Sequence, residues 1–145
     1  MQHQEPWAGC VSVAGEQGRA ARDWYAAHNM SLFTWSSLAG GFFSGRFRRD
    51  NLDSFSDGLD VTCVHSYCYE DNFQRLERAE SLGQKHSLTL TQIAMAYVMS
   101  QPLNIYALVG CRTVQEFRDN TAAIMVKLTP DEIAWLEVGT PEPAT

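Results

Sequence analysis

The chain has no apolar run long enough to span a bilayer, although 45% of its 145 residues are hydrophobic, so the sequence gives no basis for a membrane-spanning helix. Its first residues, Met1-Gln2-His3-Gln4-Glu5-Pro6, have neither the positive region nor the apolar stretch of a secretory signal. Export therefore has no support. Basic residues are the minority, 11 Lys and Arg against 17 Asp and Glu for a formal net charge of −6, which argues against a nucleic-acid partner because such binding needs a basic surface. The four cysteines, Cys10, Cys63, Cys68 and Cys111, form no C-x-x-C pair and no metal-like spacing with His3, His28, His65 or His86. No metal site is expected, and reduced thiols in a cytoplasmic setting follow. Internal repeats and low-complexity tracts are also missing, so residues 1–145 read as one domain's worth of sequence without a linker.

What is present is an alternation of helices and short apolar strands. Ala20, Ala21, Trp24, Tyr25 and His28 recur at helical spacing and predict a helix over Glu16 to His28, followed by a strand over Met30 to Trp35. Residues Arg46 to Ser66 carry mixed charge with Gly58 and several Asp and Ser, which predicts a long excursion with at most a short helix. Glu70 to His86 is a second helix with Phe73, Leu76, Ala79 and Leu82 on one stripe, and Thr89 with Gln92 forms a capping box that starts a third over Leu90 to Ser100. A last helix runs from Pro130 to Val138, with Thr129 as cap, Glu132 completing the box, and Ile133 and Leu136 facing inward. The tail from Gly139, with two prolines, is expected to be poorly ordered, most of all residues 140–145.

Two tracts carry the chemistry. Tyr106 to Val109 reads as a strand ending at Gly110, which can take positive φ and lets a ligand approach the backbone. Thr113 and Glu116 then form a second T-x-x-E box at a helix start, where unpaired N–H groups and the dipole favour an anion, and Arg112 adds a full charge. The other tract, Phe33 to Arg46, is a strand leading into a loop of Ser36, Ser37, Gly40, Gly41, Ser44 and Gly45, with Arg46, Arg48 and Arg49 beside it. Trp35 offers a flat face on which a heteroaromatic ring can stack. Taken singly, one tract is also what an ordinary βα turn looks like, and the other a Gly/Ser surface loop around a core tryptophan.

Together the tracts resemble the aldo-keto reductase family. In that family the seventh barrel strand ends in an aromatic followed by Ser-Pro-Leu, a glycine loop, and a Gly with a basic residue; here this reads Trp35-Ser36-Ser37-Leu38-Ala39-Gly40-Gly41, then Gly45-Arg46, with Ser37 in place of the proline. The family's adenosine segment after the eighth strand is matched by Gly110, Arg112, Thr113, Glu116, Asp119 and Asn120. Leu90 to Tyr97, between the two tracts, and Leu128 to Ile133, after them, resemble two further helices of the family. The resemblance covers nearly the whole chain and implies an α/β fold: the C-terminal part of a (β/α)8 TIM barrel, about strands 7 and 8 with their helices.

The resemblance also implies NADP(H) as cofactor and a role for each matched residue. Trp35 would stack on the nicotinamide; Ser36, Leu38, Gly40 and Arg46 would line the pyrophosphate. Gly110 would belong to the same cofactor site, Arg112 would meet the ribose 2′-phosphate, and Glu116 and Asn120 would hydrogen-bond the adenine side, with Asp119 close by. A cation at the position of Arg112 favours NADP over NAD, since the extra phosphate needs a partner. In the full-length enzyme the reaction would be hydride transfer to a small-molecule carbonyl.

A (β/α)8 barrel needs about 250 residues, and the family's catalytic Asp, Tyr, Lys and His come from its first half, so no catalytic residue is assigned here. Asp60, His65, Tyr67 and Tyr69 are taken as loop residues. The expectation is an incomplete barrel, inactive alone and prone to self-association through unpaired edges. A non-catalytic, redox-sensing NADPH-binding partner of the potassium-channel β-subunit type, or an inactive truncated fragment, would carry the same motifs.

Overall fold

A computed structural model describes Val13, Gly15 and residues 18–140. Among them are six α-helices and two strands: α1 (Arg19–Ala27), β1 (Leu32–Thr34), α2 (Gly58–Tyr67), α3 (Glu70–His86), α4 (Leu90–Met99), β2 (Ile105–Ala107), α5 (Val114–Ile124) and α6 (Pro130–Val138). β1 and β2 pair in parallel with Leu32 opposite Ile105, Phe33 opposite Tyr106 and Thr34 opposite Ala107. Parallel neighbours need a crossover, and here it contains α2, α3 and α4. Alternation along the strands sends Leu32, Thr34, Ile105 and Ala107 toward partial burial and puts Phe33 and Tyr106 on the other face, exposed, with rings stacked at 5.4 Å.

The core lies among the helices and forms two clusters joined by α3. Ala79, Leu82, Ile93, Ala96, Leu128 and Leu136 make one; Phe42, Phe47, Cys63, Phe73 and Leu76 make the other, with Phe43 and Leu90 touching both. The stripe expected on α3 is thus buried throughout, its upper half serving one cluster and its lower half the other. Ends are fixed by the residues the sequence offers: the Thr89–Gln92 and Thr129–Glu132 boxes are both closed, and Glu70 and Asp71 open α3 while Lys85 and His86 end it. Gly139 caps α6 at φ 81°.

Several expectations change. α1 begins at Arg19, and no residue in it is buried; Trp24 is half exposed and stacks on His28 instead. Glu16 and Gln17 lie outside the described residues, as do Cys10, the amino-terminal segment read for a signal, and 141–145 of the tail. β1 is shorter than Met30 to Trp35, and β2 begins one residue earlier than Tyr106 and ends at Ala107. The excursion holds a full helix, α2, with Asp57 as its cap accepting from Leu59 N at 2.8 Å. Asp60, His65 and Tyr67 are therefore helical residues; only Tyr69 remains outside, capping α3.

Candidate functional site

Because β1 and β2 are parallel and in register, the loops that follow them leave the same end of the sheet. Leu108 N still donates to Thr34 O at 2.7 Å, tying the start of one loop to the end of the other strand. The two tracts, 73 residues apart between Phe33 and Tyr106, thus come together at one edge.

The loop after β1 is folded on itself. Ser36, Ala39, Gly40, Gly41 and Gly45 all have φ between 51° and 94°, a left-handed region that costs a residue with a Cβ and that glycine takes freely. Those turns let the loop consume its own donors: Ala39 N bonds Ser36 O at 2.8 Å, Gly40 N bonds Ser36 Oγ at 3.0 Å, Gly41 N bonds Leu38 O at 3.1 Å and Gly45 N bonds Phe42 O at 3.3 Å. Ser36 keeps its hydroxyl proton for another partner. Phe42 is fully buried and pins the loop to the core. Trp35 is half exposed at the strand end, and Leu38 is half buried. Arg46 gives both terminal nitrogens to the Asp60 carboxylate, Nη1 to Oδ2 at 2.7 Å and Nη2 to Oδ1, while its guanidinium lies 4.5 Å from the Phe47 ring centroid.

The loop after β2 is open. Gly110 does not adopt positive φ, correcting that expectation, and a Cβ there would meet nothing within 4 Å. Its value is clear space rather than a special dihedral. Arg112 has 93% of its side chain exposed, with one long contact to Glu116 at 3.7 Å. Thr113 Oγ1 accepts from Glu116 N at 3.1 Å, but the return arm differs from the expected box: Glu116 Oε2 accepts from Arg112 N at 2.7 Å, one residue farther upstream. Asn120 Nδ2 donates to Cys111 Sγ at 3.3 Å, and Asp119 accepts from Gln115 at 3.0 Å on the α5 surface.

The geometry separates the assigned residues into two groups. Trp35, Ser36, Leu38, Gly40 and Arg46 sit on the closed loop; Gly110, Arg112, Glu116, Asp119 and Asn120 sit on the open one. Sequence reasoning missed Asp60, Cys63 and Tyr67, which approach the closed loop from α2. Their i, i+3, i+7 spacing was the available signal. Burial pushes the Cys63 thiol up to about 12 and Cys68 up to about 11, so neither is a nucleophile near neutrality. Among the described residues no cluster of His, Cys, Asp and Glu could hold a metal, and no helix is long and apolar enough to cross a membrane.

Residues 16–138 match the aldo/keto reductase family. The chain belongs to that family. As an aldo/keto reductase sequence it is 29% identical over 109 residues to a probable aryl-alcohol dehydrogenase of Saccharomyces cerevisiae, covering 74% of this chain and 33% of that protein. It is 30% identical over 130 residues to the versiconal hemiacetal acetate reductase of Aspergillus parasiticus, covering 86% of this chain and 36% of that one. The aldo/keto reductase chain thus spans about a third of each of these relatives. Its helix-rich α/β structure with two parallel strands is consistent with part of the family's (β/α)8 barrel, and the family generally uses a nicotinamide dinucleotide. The residues present fit such a group: Arg112, exposed and held only by its 3.7 Å contact with Glu116, can meet an anion, and the clear space at Gly110 gives it an approach.

Proposed function

We propose that this chain is the cofactor-holding part of an NADPH-dependent reductase acting on an aldehyde or ketone, with β1 and β2 as the family's seventh and eighth barrel strands. The observation that carries the reading is the parallel register of those strands, which sends a loop bearing Trp35 and Arg46 and a loop bearing Gly110 and Arg112 out of one sheet edge. A dinucleotide needs that pairing: an aromatic face at one end and a phosphate-binding helix start at the other.

In this reading the nicotinamide, when bound, supplies the hydride. The chain's own residues position it. Trp35 stacks against one ring face and leaves the other toward substrate. Ser36 donates its hydroxyl to the pyrophosphate, along a wall that Leu38 and Gly40 keep narrow. Arg112 meets the ribose 2′-phosphate as a full charge, which makes NADP the preferred form over NAD. Glu116 and Asn120 hydrogen-bond the adenine side, with Asp119 close by. One relative carries the name of a probable aryl-alcohol dehydrogenase and another that of a reductase, and an aryl aldehyde is the substrate class to try first.

No side chain here is assigned to the family's proton-donating tetrad, so we expect the isolated chain to bind NADPH without reducing a carbonyl. Titration with NADPH and NADH, following tryptophan fluorescence, tests the site. Tighter binding of NADPH, lost in Arg112→Ala, supports it. Equal affinity for the two dinucleotides sinks the phosphate role, and turnover of benzaldehyde by the purified chain sinks the assignment of the chemistry elsewhere.

A further inference from the structure

Asp60, Cys63 and Tyr67 form one face of α2, and each touches the closed loop. Asp60 takes both terminal nitrogens of Arg46, Cys63 Sγ lies 3.6 Å from Ala39 O, and a Cβ on Gly40 would stand 3.4 Å from the Tyr67 ring. Helix α2 is therefore seated on the loop, with its charged end on Arg46. The Arg46 side chain is 48% exposed and that of Asp60 18% exposed. Such a pair is geometrically good yet energetically modest, since water screens it.

We propose that Asp60 is an internal competitor for the phosphate that Arg46 binds, so that occupation of Arg46 by a pyrophosphate opens the Arg46–Asp60 pair and releases the first turn of α2. This rests on the reading that Arg46 lines the dinucleotide's pyrophosphate. The edge of Arg46 that Asp60 holds, Nη1 with Nη2, is one on which a carboxylate and a phosphate fit in the same bidentate way. Asp60 already fills that edge, and its charge would repel an anion arriving beside it. The phosphate brings more charge and displaces the carboxylate; a deeply buried pair would resist such an exchange. Arg46 stays on its aromatic shelf, 4.5 Å from the Phe47 centroid and 5.6 Å from that of Phe55, so the side that moves is α2. Cofactor occupancy is thereby transmitted to the excursion between Arg46 and Ser66.

The test uses the chain as it is and two probes, inorganic pyrophosphate and NADPH. Asp60→Asn is expected to bind both about three- to fivefold more tightly than the parent, the range a screened ion pair can supply, and the gain is expected to vanish in an Arg46→Met background. In the parent, saturating pyrophosphate is expected to speed amide hydrogen exchange within 58–67. A D60N chain that binds pyrophosphate no more tightly than the parent overturns the proposal, as does a gain that survives without Arg46, which would be bulk charge. Unchanged exchange in 58–67 at saturating pyrophosphate overturns it equally. If pyrophosphate behaves as expected while NADPH binds neither chain, the competitor stands and the dinucleotide reading falls.

Discussion

After β1 the chain turns back on itself, spending backbone donors on its own carbonyls through five left-handed residues and burying Phe42 beneath them, whereas after β2 it leaves a glycine in open space and an arginine in solvent. Both junctions leave the same sheet edge, so the contrast is not one of position. It is one of what holds each loop in shape. The first is gripped by the core and by α2; the second is held by polar contacts alone, the Thr113 cap, the Glu116 carboxylate on Arg112 N, the Asn120 amide on Cys111 Sγ and Leu108 N on Thr34 O. A gripped half can orient a ring, and an open half can admit a phosphate.

The largest expected effect comes from removing the grip. Phe42→Ala empties a fully buried site within the cluster of Phe47, Cys63, Phe73 and Leu76 and is expected to cost about 3–5 kcal/mol, enough to unfold a marginal chain. Urea unfolding followed by circular dichroism measures it, and a loss below about 1 kcal/mol would mean that the loop is not anchored by this ring. Next is a paired substitution. Gly41→Val forces a branched residue to φ 94°, at about 1–3 kcal/mol. Gly110→Ala meets no atom within 4 Å and no left-handed dihedral, so its stability should stay within about 0.5 kcal/mol of the parent. Equal costs at the two glycines would erase the distinction between the junctions.

How much of this was legible in the sequence depended on whether a residue's partner is near in the chain. The α3 stripe and the Thr89 and Thr129 capping boxes were legible because helical period and an i, i+3 pair are local facts, and both ends of α3 were read correctly; at Thr113 only the hydroxyl half of the expected box forms. α2 was not. Its apolar Leu59 is exposed while Cys63 and Ser66 are its buried positions, so hydrophobic period does not point at the core. Gly110 illustrates a different limit: glycine permits a positive φ without requiring one, and only the backbone decides. The Arg46–Asp60 pair joins residues 14 apart across a turn and a helix start, a tertiary fact with no pattern to announce it. That both tracts share a sheet edge followed from the resemblance, but the register that brings them there is set by six strand residues.

Arg112→Ala tests the open half without touching the closed one. Its side chain packs against nothing that supports the fold, so the unfolding midpoint should not move. Affinity for NADPH should fall about tenfold, as expected for one charge-assisted hydrogen bond to phosphate, and affinity for NADH should hardly change. A matching loss for NADH would move Arg112 from the 2′-phosphate to a contact common to both dinucleotides. Gly110→Ala sharpens the point, since an unaltered fold with weaker NADPH binding would say that a ligand needs the space a methyl occupies.

The smallest effect sets the exposed cap of α5 against the closed one of α6. There Glu132, 7% exposed in its side chain, accepts from Thr129 N at 2.8 Å and Thr129 Oγ1 at 3.1 Å, and lies 2.6 Å from His86 Nε2. Burial alone would push its pKa up, but the Thr129 backbone N–H, His86 and the Thr129 hydroxyl outweigh it and hold the carboxyl below the ordinary 4.5. A depressed folded pKa contributes stability that is fully present above the unfolded value and is lost as pH falls through the folded one. Stability should therefore decline below pH 4.5. In Glu132→Gln, which keeps the shape and cannot titrate, that decline should be shallower, measured as unfolding midpoint against pH. An identical acid limb in the two chains would assign the loss to other carboxylates and leave the α6 cap without a charge it depends on.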